Sequence, residues 1–307
     1  MDSDLLQKIM HQGAWVDLSS LAKWRLSGAD RVRYLNGQVT NDVRSANSTS
    51  ALHACVTNAK GRMEGDVFIH AADDSLWLDA APDLREPLGM RLERYIISDD
   101  AVLEDVSDAW QLWHRLSPAG VSDMPGGCPP EVRGLAAERF GRHGRDFWLP
   151  TSMPPDLLLT DGCPVLSAAD AETLRILQRV PAWPSEINAD RFPQEAGLEK
   201  SCMSFTKGCY IGQEVLSRIK TTGKMPHELI AWEKDGDTTA VRASSKLWLG
   251  EREVGHITSA ALHPSTQRWV GLAYVRQGAV ALDSVLRLGD ALPSVDPQIK
   301  ISAFLNQ

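Results

Sequence analysis

The run from Ser204 to Lys220, Ser-Phe-Thr-Lys-Gly-Cys-Tyr-Ile-Gly-Gln-Glu-Val-Leu-Ser-Arg-Ile-Lys, constrains this chain more than any other stretch. A helix pattern opens about three positions after Cys209, with Val215, Leu216 and Ile219 at i, i+1 and i+4 making one apolar face. Gly208 and Gly212 flank Cys209 and Tyr210 with permissive backbone. A thiol is thereby expected near a helix N-terminus, with Lys207 two positions before it. Helix dipole and ammonium group both favour the thiolate, which is the reactive form. The alternative is a buried structural cysteine, a common fate for a free thiol. Gln213, Glu214 and Arg218 make poor core material, so a functional Cys209 is the expectation.

The segment Lys207-Gly208-Cys209-Tyr210-Ile211-Gly212-Gln213-Glu214, with Arg218 after it, resembles the signature of the YgfZ-type folate-binding proteins. Those are relatives of the aminomethyltransferase (T protein) of the glycine cleavage system and are linked to iron–sulfur cluster assembly. Ser27-Gly28-Ala29-Asp30 and the run Tyr34 to Val43 resemble the family's first motif, and the likeness extends from about Leu26 to about Arg276. The resemblance implies an α+β fold with aminomethyltransferase-like folate-binding lobes around a central cavity, followed by a C-terminal all-β barrel. It also implies tetrahydrofolate or a derivative as cofactor, iron–sulfur client or assembly proteins as partners, and an indirect effect on tRNA modification.

Asn58, Lys60, Arg62, Glu64 and Asp66 cluster at one turn, which reads either as a solvated hairpin end or as the mouth of a ligand cavity. In the aminomethyltransferases the similar turn precedes paired acidic residues, one of them catalytic. Here the pair reads Gly65-Asp66, so one carboxylate remains, which argues against aminomethyl transfer and leaves room for folate binding. Arg175, in Leu174-Arg175-Ile176, is either an exposed helical arginine or a bidentate holder of a glutamate-tail carboxylate. Phe192 to Leu198 resembles the segment in which T proteins set a glutamate against the pterin, which makes Glu195 a candidate acceptor of two N–H bonds. Trp15, Trp24, Trp183 and Trp269 are candidates for stacking on the ring.

Three functional readings follow. The first is a folate-binding protein supporting iron–sulfur proteins. The second is a folate-dependent one-carbon transferase with Asp66 as acid or base. The third is a thiol enzyme using Cys209, which needs an activating histidine such as His227 or His256.

Periodicity gives strands at Lys23–Leu26, Ala51–Thr57, Asp66–His70, Leu76–Leu78, Ala101–Val106 and Trp110–Leu116. It gives helices from Asp30 through Gln38 and from Pro82 to Ser98. A Gly- and Pro-rich loop, Pro118–Pro130, follows, then short strands at Phe147–Leu149 and Leu157–Thr160. Ser167 to Asp170 reads as a capping box for a helix over Ala171–Val180. Beyond Gly223 six short strands follow, which sets expected regions of 1–224 and 225–307.

The net charge of −8 argues against a broad grip on nucleic acid. Five cysteines without a CxxC exclude a disulfide framework and a usual zinc site, and no metal is expected. Cys55, Cys128 and Cys163 read as small buried or loop residues. No apolar run reaches the roughly 18 residues of a membrane span, and no signal pattern opens the chain, so a cytoplasmic protein is expected; a monomer is the expected state.

Overall fold

The structure, a computed structural model, describes residues 1–118, 130–236, 241–289 and 298–305. The chain opens with α1 (Ser3–Gln12), β1 (Ala14–Asp17), β2 (Ala22–Ser27), α2 (Arg31–Gln38), β3 (Leu52–Thr57), β4 (Met63–Ala72) and β5 (Ser75–Ala80). It continues through α3 (Arg85–Glu93), β6 (Val102–Asp105), β7 (Trp110–Leu116), β8 (Arg133–Glu138), β9 (His143–Pro150), β10 (Val165–Leu166) and α4 (Ala168–Leu177). Two short helices, α5 (Glu199–Cys202) and α6 (Gln213–Thr222), lead into β11 (His227–Lys234), β12 (Lys246–Leu249), β13 (Arg252–Leu262), β14 (Trp269–Arg276), β15 (Val285–Leu288) and β16 (Gln298–Phe304).

These strands make two five-stranded sheets, ordered β3-β4-β5-β2-β6 and β10-β1-β7-β9-β8, and a closed barrel ordered β11-β14-β13-β12-β15-β16. The expected α+β class and all-β terminal barrel are therefore present. All six barrel strands lie where alternation put them, with Gly250 in the left-handed conformation at the β12–β13 turn. Inward Ile230, Trp232, Leu247, Ile257, Val275 and Ile301 fill the barrel.

The first sheet is covered by α2 and α3. Trp24, Leu26, Leu78, Tyr34, Leu35, Leu88 and Leu92 share one core, and the Tyr34 hydroxyl donates to the Leu92 carbonyl. α3 stops at Glu93 rather than Ser98, and Tyr95 is exposed. The β-branched pair Ile96-Ile97 is weak helix material, and the following Asp100 is engaged elsewhere. Its amide donates to the Asp30 carboxylate and its carbonyl accepts the Asp30 amide, so Asp30 secures this crossing instead of capping α2 with its side chain.

Leu157–Thr160 is not a strand. Pro154 and Pro155 start a single 3-10 turn there, because proline withholds the ladder donor. α4 begins at Ala168, earlier than expected, with Ser167 accepting from the Asp170 amide. α1, β1 and β8 are not among the elements read from the sequence, although Leu5, Leu6 and Ile9 of α1 recur at helical spacing. Cys128 and most of Pro118–Pro130 lie outside the described residues. Among the described residues no helix is long and apolar enough to cross a membrane.

The two sheets are locked by one buried cation. Arg139 donates to both oxygens of Asp79 on β5, at 2.9 and 2.8 Å, and to both oxygens of Asp146 on β9. His114 Nδ1 lies 2.7 Å from Asp146 Oδ1.

Candidate functional site

Where the two sheets meet the α4–Trp183 segment, a cavity of about 320 Å³ opens. This is within the size range of small-molecule sites. Its wall includes Asp66 and Phe68 from β4, Arg139, Arg175 and Trp183. Trp183 also packs against the cores of the first sheet and of the Cys55–Cys202 cluster, which fixes its ring. Of the four tryptophan candidates only Trp183 lines this cavity. Trp15 and Trp24 are buried in sheet cores, and Trp269 packs against the barrel core.

Asp66 is positioned by strand register. β3 pairs with β4 so that His53 lies opposite Phe68 and Cys55 opposite Asp66. The His53 ring stacks on Phe68 with centroids 4.2 Å apart, and His53 Nε2 is 2.8 Å from Asp66 Oδ2. On the other ring edge, His53 Nδ1 lies 3.0 Å from the Cys202 sulfur at the end of α5. Asp66, His53 and Cys202 thus form a hydrogen-bonded chain that the sequence reading did not find.

Burial pushes the Cys202 thiol up, but its hydrogen bond with Cys55 and the charge of His53 outweigh that and bring it down to about 5. Burial likewise pushes His53 down, and Cys202 and Asp66 together raise it to about 10. Both shifts run in the direction that favours a thiolate–imidazolium pair. The Cys55 thiol is pushed the other way, well above its ordinary value, by its hydrogen bond to Cys202 and by burial.

The other turn residues serve structure. Asn58 Oδ1 accepts the amides of Lys60 and Arg62 and closes the turn, so that oxygen is committed to the backbone. Glu64 pairs with Arg91 at 2.7 Å, and Arg62 lies over the Phe192 ring. Lys60 is exposed.

Glu195 does not reach the cavity. It is fully buried, with Oε2 accepting the Phe192 amide and Oε1 accepting the His227 amide, both at 2.8 Å. It fastens its own loop to the first barrel strand, and its oxygens face these backbone donors together with Arg62 at 3.4 Å and the His227 ring at 3.3 Å. Arg175 is buried, not exposed, and is also committed. Its Nε and two terminal nitrogens reach Glu172, Glu186, the Val180 carbonyl and the Ser259 hydroxyl in five hydrogen bonds. A guanidinium has five N–H donors, so none is left for a glutamate tail.

The cysteine motif is arranged differently from expectation. Lys207 does not attend Cys209. It turns inward, and its ammonium donates to the carbonyls of Asn36, Val39 and Asn41 at 2.6 to 2.7 Å. Those carbonyls cluster at the C-terminal, negative end of α2, where a cation is favoured. Burial pushes Lys207 down to about 8. α6 starts at Gln213, four positions past Cys209, so its N-terminal turn is built by Gly212, Gln213 and the exposed Glu214. Cys209 itself is exposed.

Gly212 has a positive φ of 86°, and a Cβ there would lie 2.6 Å from the Asn58 carbonyl oxygen. This glycine seats the motif on the β3–β4 turn. Gly208 is unlike it: a Cβ there would meet nothing within 4 Å. Tyr210 is buried beneath, its ring 4.9 Å from the Lys207 nitrogen, while Arg218 is exposed on α6. Both histidines expected as activators of Cys209 are engaged elsewhere: His227 faces Glu195, and His256 lies against Tyr274.

Residues 229–289 match the C-terminal barrel domain of the glycine cleavage T-protein. Over 318 residues the chain is 26% identical to the tRNA-modifying protein YgfZ of Yersinia pestis (strain Pestoides F), spanning 92% of this chain and 91% of that protein. It is 27% identical over 297 residues to the tRNA-modifying protein YgfZ of Klebsiella pneumoniae (strain 342), spanning 89% of each. The solved structure of glycine cleavage system aminomethyltransferase T from Bartonella henselae superposes on 97% of this chain and 88% of its own. Its TM-score is 0.81 at 15% identity, so the fold is shared.

Proposed function

We propose that this chain, a YgfZ-type protein related to the glycine cleavage aminomethyltransferases, binds tetrahydrofolate or a derivative in the cavity between its sheets and supports the assembly or repair of iron–sulfur proteins. One observation carries the reading: in a chain with the aminomethyltransferase fold, the inter-sheet cavity joins a fixed indole, Trp183, to a carboxylate, Asp66. A reduced pteridine presents a flat face and an edge of N–H donors, and these two groups suit both. The glutamate tail would extend past Arg175 without being gripped by it. The exposed Cys209 beside the open Gly208 supports contact between that sulfur and a client protein. The acidic net charge makes any effect on tRNA modification indirect, and the reading includes a monomer working in the cytoplasm.

Calorimetry with tetrahydrofolate tests it. The wild type should bind, and Trp183→Ala should bind about tenfold more weakly, the equivalent of about 1.4 kcal/mol of lost stacking. Melting curves separate that loss from unfolding, since Trp183 also touches two cores. Absence of binding by the folded wild type would end this reading.

A second reading, a one-carbon transferase, is favoured by the hydrogen bond that aims Asp66 from His53 toward the same cavity. Incubation with a methylene- or methyl-folate and candidate amines should then show turnover that falls at least about a hundredfold in Asp66→Asn. Turnover that survives the substitution removes Asp66 from any such chemistry.

A further inference from the structure

The folate reading leaves the two inner cysteines, Cys55 and Cys202, without a role, although a histidine lies against one of them. The Thr40 hydroxyl donates to the Cys202 carbonyl at 2.6 Å and accepts the Cys55 amide at 2.9 Å, so one side chain holds both cysteine backbones together. Both side chains belong to one buried cluster, packed with Met63 and Ile187. His53 lies 3.0 Å from the Cys202 sulfur, and Asp66 orients the far edge of its ring. A nucleophilic sulfur, a base and an orienting carboxylate are thus in line, with a second thiol alongside.

We propose that Cys202 and Cys55 form a hydroperoxide-reactive dithiol, with Cys202 the attacking sulfur, Cys55 the resolving thiol and His53 the proton donor. The Cys202 thiolate attacks one peroxide oxygen; the S–O bond forms and the O–O bond breaks. The departing hydroxide takes the proton from the His53 imidazolium and leaves as water. Cys55 then attacks the sulfenic sulfur; the S–S bond forms, the S–O bond breaks, and the Cys55 proton leaves with that hydroxyl as a second water. Two thiols lose two electrons and two protons, and one hydrogen peroxide becomes two waters.

Neither sulfur has exposed surface, which restricts the oxidant to one the size of water. The route is short, because the exposed residue Ser201 places its hydroxyl 3.3 Å from the Cys202 sulfur. Oxidation has a consequence at the cavity wall: once the thiolate is gone, His53 sheds its proton and Asp66 loses a charged partner. The titratable groups around the pair are His53, Asp66 and Tyr210, which senses Cys55.

The experiment uses the full reduced chain without folate, so its result is independent of the folate reading. It is treated with stoichiometric hydrogen peroxide and mapped by non-reducing peptide mass spectrometry, with Cys209 as the exposed internal comparison. The expected product is a Cys55–Cys202 linked peptide. The rate at which the Cys202 thiol is lost should change less than about twofold from about pH 6 to about pH 8, where an ordinary thiol speeds up roughly tenfold per unit. His53→Asn should slow the linkage at least about tenfold at neutral pH. The wild-type pH profile stands even if that variant folds poorly. Peroxide that oxidises Cys209 while Cys55 and Cys202 stay reduced would overturn the proposal, as would a rate of Cys202 loss that climbs with pH like that of free cysteine.

Discussion

An Arg139→Met chain is expected to lose about 3–5 kcal/mol of unfolding free energy at neutral pH, the cost of orphaning buried charge. Arg139 and both of its carboxylate partners are almost fully buried, at 7%, 2% and 0% side-chain exposure. Burial alone would push the Asp146 carboxyl up, but the Arg139 and His114 bonds outweigh it and bring it down to about 2. Asp79 meets the same burial with less compensation and sits above its ordinary value. Methionine fills the arginine stem and supplies no donor, so two buried carboxylates are left together with only His114 still beside Asp146. Asp79 then rises further above its unfolded value, and Asp146 rises with the loss of Arg139. A group of that kind contributes more stability as pH falls, because the folded chain binds the extra proton. The deficit relative to wild type should therefore shrink between about pH 7 and about pH 5. Urea unfolding at the two pH values measures this. A deficit below about 1 kcal/mol, or one that grows on acidification, would show that the sheets are held together by something else.

The same network explains what could be read in the sequence and what could not. The barrel was legible because each strand alternates and turn residues separate the strands, which is local information. α6 was legible from Val215, Leu216 and Ile219, of which Leu216 and Ile219 are buried. The Asp79–Arg139–Asp146 tie was not, since none of its members sits in a motif and a sheet-to-sheet contact has no period. The Cys202–His53–Asp66 chain was invisible for a related reason. His53 and Asp66 are brought together by β3–β4 register, and Cys202 joins from a helix 149 positions beyond His53. Residues two apart also mislead in irregular backbone. Lys207 and Cys209 are sequence neighbours that turn to opposite sides, one inward to α2 and one to solvent. Glu195 and Arg175 had the right chemistry for a ligand, but intramolecular donors and acceptors had already consumed it.

That divergence makes the motif separable by mutation. Lys207→Met is expected to cost about 3 kcal/mol of stability, because three carbonyls at the end of α2 lose their ammonium donor together. Leaving one buried polar group unsatisfied costs about 1–3 kcal/mol, and three clustered acceptors share some relief from water. The contact with the Tyr210 ring is lost as well. Cys209→Ala, at an exposed position, should change stability by less than about 0.5 kcal/mol. If the proposed role of Cys209 is right, the two chains fail in different ways when expressed in cells lacking the protein. Lys207→Met fails to restore iron–sulfur enzyme activity through low abundance of folded chain, and raising its expression recovers part of it. Cys209→Ala accumulates normally, melts like wild type and still restores less than about a tenth of the activity, since no other exposed atom of the motif offers a nucleophilic sulfur. Full rescue by Cys209→Ala removes that thiol from the mechanism. A wild-type melting curve for Lys207→Met would mean that the α2 carbonyls find other partners and that the lysine serves something other than the fold.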